Sequence, residues 1–385
     1  MVTTTTTQHS DPQQPGRPPR PRDSKIDPAG GRLRPGVARV VVAAVVGVLV
    51  ALLGVWFMPR VPSLSTQMTG DRDLAAESRP YLGGALDVVS IATVDGATIN
   101  YAGFGADETA VYEIGSITKT FTSALLADAI SRGEVTADTR LGDLLPVRGA
   151  PVADVTLAEL ASHRSGLPRV GTSPTIRENL LLLTHRTAYT QNLDGLLAVA
   201  RSAGLINRGR YMYSDLGAAL LGEGLASVAH TDYRRLLHQR LLGPLGMTST
   251  TVPITGSDLP ADASAGYGPD GQRHKAWAMH AWVSAGGIRS TAADMAKYAT
   301  ALLNGSAPGM DALTPRWDEG NGAQVGYAWN TEQLEGKTVT YHGGATGGFC
   351  AAIVLDRANG SAVIVLSNTK VPVENAALTL LVGMS

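Results

Sequence analysis

The stretch Glu113-Ile114-Gly115-Ser116-Ile117-Thr118-Lys119-Thr120-Phe121-Thr122 sets a serine three residues ahead of a lysine, where an apolar-periodic run begins. Three residues advance an α-helix by about 300°, so the Lys119 side chain lies over the face that carries Ser116, one turn away. Ser116 is therefore a candidate nucleophile with Lys119 as its base. At a first helical turn it also sits where unpaired backbone N–H groups favour developing negative charge. Ser and Lys are common residues, and an isolated match is more often a solvated helix start, so distant partners decide the matter.

Downstream of Ser116 the positions Phe121, Leu125, Leu126, Ala129 and Ile130 form one stripe, and Gly133 is placed to end the helix. Upstream, the β-rich runs Leu86 to Val94 and Thr98 to Gly103 are joined across Asp95-Gly96, a hairpin signal. From Thr156 to about Leu303 the patterns are mainly helical: Thr156 to Ser162, Leu193 to Ala203, Leu216 to Ala229, Tyr233 to Leu242 and Ala292 to Leu303. The last quarter returns to strands at Val339 to His342, Phe349 to Leu355 and Ser361 to Ser367, with a terminal helix from about Val373. Strands at both ends of the chain with helices between them predict one discontinuous layer carrying an inserted helical region. The cleft between the two is the expected site.

Two further patterns suit an acyl-transfer serine enzyme. In Tyr211-Met212-Tyr213-Ser214-Asp215-Leu216-Gly217 a polar turn leads into an apolar helix, and Tyr213 can exchange protons with Ser116 if Lys119 lies beside it. The plainer reading makes Tyr213 a packing residue and Asp215 a helix N-cap. In Tyr341-His342-Gly343-Gly344-Ala345-Thr346-Gly347-Gly348-Phe349 the glycines let backbone approach a ligand, and an N–H there can join that of Ser116 as an oxyanion hole. His342 would supply a cation that titrates near neutrality. The alternative is a Gly-rich bulge with His342 partly buried.

The remaining features bound the answer. A formal net charge of −1 gives no sign of nucleic-acid binding, and the single cysteine, Cys350, excludes an intrachain disulfide or a cysteine-based metal cluster. Histidines 163, 185, 230, 238, 274 and 280 are scattered and read as surface or loop residues. No GxSxG elbow and no HExxH pair is present. Residues 1–36 lack apolar periodicity and predict a disordered basic tail. Val40 to Met58 carry no charge and end near Trp56 and Phe57, which predicts a transmembrane anchor over residues 37–59, with the tail cytoplasmic and the rest outside the cell membrane. A cleaved signal peptide is the rival, although no small-residue cleavage site follows Met58. Residues 60–80 read as a linker and 81–385 as the catalytic domain.

With these patterns in this order, the chain resembles the serine β-lactamase and penicillin-binding superfamily, nearest the branch of class C β-lactamases, D-alanyl-D-alanine carboxypeptidases and related esterases. The likeness covers about Leu86 to Asn368. It implies an α+β fold of the β-lactamase/transpeptidase type, an antiparallel sheet from both chain ends flanked by helices with an inserted all-helical region. SxxK falls on Ser116 and Lys119, Tyr-x-Asn on Tyr213 and Asp215, and His-x-Gly on His342, Gly343 and Gly344. The resemblance implies catalytic Ser116, Lys119 and Tyr213, oxyanion donors at Ser116 and Ala345, and substrate contacts from Asp215, His342, Gly343 and Gly344. It implies no metal or organic cofactor and a small-molecule or cell-wall peptide substrate. Leu160 to Pro168 and Ala285 to Thr291 also look familial, as loops framing the cleft. Asp215 departs from the family's Asn, and His342 from the lysine of class C β-lactamases. The alternative to a hydrolase is a penicillin-recognising module that binds cell-wall fragments without turnover. Oligomeric state is not legible.

Overall fold

The computed structural model describes residues 35–56, 59–171, 187, 189–320 and 322–384, and divides into two compact units, Met1–Met58 and Pro59–Ser385. In the first unit, helix α1 spans Pro35–Trp56. Its described side chains are continuous only over residues 39–52. Among the described residues no helix is long and apolar enough to cross a membrane. The predicted anchor is thus not seen as a span, and the predicted tail before Pro35 lies outside the described residues, as do Phe57, Met58 and His185.

The second unit is built on a nine-stranded antiparallel sheet. Strands β1 (Met68–Gly70), β2 (Val89–Asp95) and β3 (Thr98–Phe104) come from the beginning of the unit. Short strand β4 (Tyr112–Glu113) lies outside that sheet, as do β5 (Gly266–Tyr267), β6 (Arg273–His274) and β7 (Arg289–Ser290). The end of the chain supplies β8 (Trp317–Gly320), β9 (Ala323–Val325), β10 (Asn330–Leu334), β11 (Lys337–Ala345), β12 (Cys350–Asp356) and β13 (Ser361–Ser367). The spatial order is β1-β3-β2-β13-β12-β11-β10-β9-β8. The two chain ends meet where β13 pairs with β2, Ser361 opposite Asp95 and Ser367 opposite Val89.

Both faces of the central strands are covered. Along β13, Ala362, Ile364 and Leu366 face the large core shared with the helical block, while Val363 and Val365 face a smaller core. That smaller core is closed by α2 (Arg72–Ser78) and the terminal helix Glu374–Gly383. Burial on both sides explains why these strands read as continuous apolar runs and not as an apolar-polar alternation. Residues 60–80, expected to be a linker, contain β1 and α2 and belong to the folded unit, because Leu74 and Ala75 pack into that second core. Helix α3 (Thr118–Ser131) also differs from expectation: it is buried on nearly every side, from Thr118 through Ala129, where a single apolar stripe was predicted.

Candidate active site

Ser116 is fixed by the strand before it and the loop across from it. Glu113 of β4 pairs with Arg289 of β7, and their side chains form a buried ion pair at 3.1 Å. Ile114 N–H then donates to Ile288 O at 3.1 Å, and the chain turns at Gly115, whose φ of 50° favours glycine. A 3₁₀ turn over Gly115–Ile117 leads into α3, with Ser116 half-buried at its centre. This turn lies directly on the end of β11. A Cβ added to Gly115 would stand 2.6 Å from Ala345 N, and one added to Gly344 would overlap Ile114 O. The two glycines let the Ser116 and Ala345 backbones come together, as an oxyanion hole requires.

Lys119 Nζ donates to Ser116 Oγ at 3.0 Å, Asp215 Oδ1 at 2.7 Å and Ala285 O at 2.6 Å. An ammonium has three protons, and all three are used. Burial alone would lower the Lys119 pKa, but the Asp215 carboxylate beside it holds it above the ordinary lysine value. Burial would likewise raise Asp215, yet Lys119, and then Arg169, hold it below the ordinary carboxylate value. The pair is therefore charged, and Lys119 rests as a cation that donates to the nucleophile.

Asp215 does not cap its helix. The N-cap of Asp215–Val228 is Ser214, whose hydroxyl accepts from Gly217 N–H at 2.9 Å. Asp215 instead opens the first turn and turns its carboxylate into the site, where Oδ2 accepts from Arg169 Nε at 3.4 Å and from Tyr189 OH at 3.2 Å. Tyr213 lies over the same cations: Lys119 Nζ is 4.9 Å and the Arg169 guanidinium carbon 5.5 Å from its ring centroid.

Two histidines correct the sequence reading. His163, expected at the surface, is buried and stacks on Tyr213 at 4.3 Å between ring centroids. Its Nδ1 accepts from Ser214 N–H at 3.1 Å and its carbonyl from Met212 N–H at 2.7 Å, so this one residue holds the Tyr213 segment by ring and backbone. Burial first, and then the Lys119 charge, push its pKa down to about 3. His342 is also buried, with Nδ1–H donating to Gly343 O at 2.6 Å. Burial, then Lys119, lower it to about 4, so the neutral-pH cation expected at this position is a neutral imidazole.

These groups meet at a cleft of about 420 Å³, lined by Ser116, Tyr213, His342 and Gly344 together with Arg169 and Glu374. Gly343 and Ala345 line it too, while Lys119 and Asp215 stand behind the nucleophile. Arg169, Tyr189 and Glu374 were not singled out in the sequence, and Ala285, whose carbonyl accepts from Lys119, was named only as the first residue of a stretch framing the cleft. Of these, only Arg169 had a local signal, a lone cation one residue past the familial Leu160 to Pro168 stretch. Cys350, whose thiol burial raises to about 11, is inert at the cleft floor.

Comparison with known proteins agrees with this architecture. The β-lactamase family model matches residues 76–382. Among curated relatives, a D-aminopeptidase of Cereibacter sphaeroides is 29% identical over 276 residues, 69% of this chain and 52% of that protein. A β-lactamase of Psychrobacter immobilis is 25% identical over 197 residues, 51% of this chain and 46% of that one. The chain thus spans about half the length of these relatives. Two solved structures share the fold: a class C β-lactamase from Rhodobacter sphaeroides and a D-alanine carboxypeptidase from Burkholderia cenocepacia. The first has a TM-score of 0.67 at 20% identity, covering 80% of this chain and 98% of that one. The second has 0.65 at 22%, covering 81% and 97%. With the match running through nearly the whole second unit, the chain belongs to the β-lactamase family, within the superfamily of serine β-lactamases and transpeptidases.

Proposed function

We propose that the chain cleaves an ester, β-lactam or D-alanyl peptide carbonyl through an acyl-enzyme on Ser116. The hydrogen bond of 3.0 Å from Lys119 Nζ to Ser116 Oγ, beside the Gly344-Ala345 backbone, carries this reading. Ser116 Oγ attacks the carbonyl and Lys119, held charged by Asp215, stabilises the developing alkoxide. The proton passes by way of the Tyr213 hydroxyl to the leaving group, while the Ser116 and Ala345 N–H groups hold the oxyanion. Water then attacks the acyl-serine and regenerates the hydroxyl. Ser116→Ala should abolish covalent labelling by a serine-directed phosphonate or penicillin probe, and Lys119→Ala should cut it by about 10² or more. Full labelling of the Ser116→Ala protein would remove the site assignment.

A binding module that is acylated but does not turn over is the second reading, and the Lys119–Asp215 pair favours it. A lysine held as a cation cannot by itself activate the deacylating water. Release of acyl product in multiple turnovers separates the two. We further propose that the catalytic unit acts outside the cytoplasmic membrane, anchored through the N-terminal segment. The uncharged run Val40 to Met58 behind Arg32, Arg34 and Arg39 supports that topology.

A further inference from the structure

Glu374 opens the terminal helix Glu374–Gly383 and lines the catalytic cleft. Its carboxylate lies over β11: a Cβ added to Gly343 would stand 2.7 Å from Glu374 Oε2. Gly343 is two strand residues from the oxyanion donor Ala345, a separation of about 7 Å. The glycine leaves its side-chain space to the carboxylate. No ion pair reaches Glu374 among the described residues, and the neighbouring His342 contributes no positive charge at neutral pH. Burial, and then Glu332, raise the Glu374 pKa, as expected of a carboxylate lacking a countercharge. Glu319 and Glu332 lie near enough to Glu374 to add the same sign around it, while Arg169, the cation lining the cleft, is already turned to Asp215.

We propose that Glu374 is a specificity-determining residue that selects substrates carrying a cationic group, an ammonium or quaternary nitrogen lying at the Gly343 side of the cleft, and disfavours a carboxylate there. The inference rests on the serine-hydrolase reading of Ser116. It also makes β-lactams and D-alanyl peptides, which present a carboxylate, the poorer substrates of this cleft. A carboxylate in a first helical turn also complements the helix dipole. That structural role stabilises the helix without distinguishing substrates by charge, so the two roles come apart in a charge series.

Two series of probes test it on the full chain. In the first, acetylthiocholine, S-acetyl-2-mercaptoethanol and S-acetyl-3-mercaptopropionate carry a cation, a neutral group and an anion at the end of the leaving thiol. In the second, p-nitrophenyl esters of 4-(trimethylammonio)butanoate, 5,5-dimethylhexanoate and 4-sulfobutanoate differ in the charge at the end of the acyl chain. In at least one series kcat/KM should favour the cation over the anion by on the order of tenfold. Glu374→Gln should reduce that ratio about tenfold, and Glu374→Lys should invert it. Equal use of cation and anion in both series, with ratios unmoved by either variant, overturns the inference while leaving the hydrolase intact. Turnover of the neutral probes that survives Ser116→Ala would instead overturn the hydrolase reading on which it rests.

Discussion

At the scale of single residues, Asp215 and the two buried histidines set the charge of the site. Asn in place of Asp215 would keep the hydrogen bond from Lys119 while removing a carboxylate whose negative field opposes the developing oxyanion. An Asn also offers a donor to a substrate amide, where the carboxylate only accepts. A hydrogen bond of this kind is worth about 1–3 kcal/mol, so Asp215→Asn should raise the acylation rate with penicillin roughly 5- to 150-fold beyond the change that small esters share. An unchanged or lower rate would assign Asp215 to holding Arg169 and Tyr189 in place. The histidines give a pH signature. Unfolded, each takes up a proton near pH 6.5, but folded, His342 holds off to about 4 and His163 to about 3. Between those limits the unfolded chain binds more protons, so stability is complete above about pH 6.5 and is lost as the pH falls towards 4. The melting temperature should therefore fall across that window, with a smaller slope in His342→Gln. No histidine-dependent step in kcat/KM should appear between about pH 6 and 8, and a step there would restore His342 as a cation.

At the scale of elements, what matters is how the turn before α3 meets the end of β11. Gly344 has no room for a side chain against Ile114 O, and the same contact aligns Ala345 with Ser116. Gly344→Ala should push β11 away from the turn and misplace one oxyanion donor, lowering kcat by about 10²–10³. Binding of a non-reacting ligand should suffer far less. An alanine variant with full kcat would show that the donor lies elsewhere. The motifs on these elements were legible because each is local: Ser116 with Lys119, Tyr213 with Asp215, and His342 with its glycines each lie within a few residues. Their partners were not. Ala285 O reaches Lys119 from a distant turn, and Tyr189 and Arg169 reach Asp215 from separate segments. His163 reads as one more scattered histidine until the fold buries it under Tyr213. Glu374 lies at a helix start, where an acidic residue is unremarkable. The plainer reading of Asp215 as a helix cap falls one residue off, because Ser214 and Asp215 are both good caps and only geometry separates them.

At the scale of the whole molecule, strands at both ends and helices between were enough to foresee one layer drawn from both chain ends, and the structure joins them by pairing β2 with β13. The strand and helix in residues 60–80 were missed because each is short and gains its stability from packing beneath β3 and the terminal helix, not from any pattern of its own. Because this segment is part of the folded unit, little chain separates that unit from the uncharged run Val40 to Met58. The proposed anchoring of the protein through that run is open to a direct test. Inside a bilayer its valines and leucines would face lipid, and the tail is basic enough, with Arg17, Arg20, Arg22 and Lys25 ahead of Arg32, to stay cytoplasmic. Protease added to spheroplasts should then digest the portion after Arg60 and spare the tail, and an alkaline carbonate wash should leave the protein with the membranes. The same chain with Val45 and Leu49 both changed to Lys should move to the soluble fraction, since a charge at a helix centre costs about 2.5–3.5 kcal/mol for insertion. Recovery of the unaltered chain in the soluble fraction, beginning near residue 60, would show instead that the segment is a cleaved leader. Recovery there at full length would show that it binds no membrane at all.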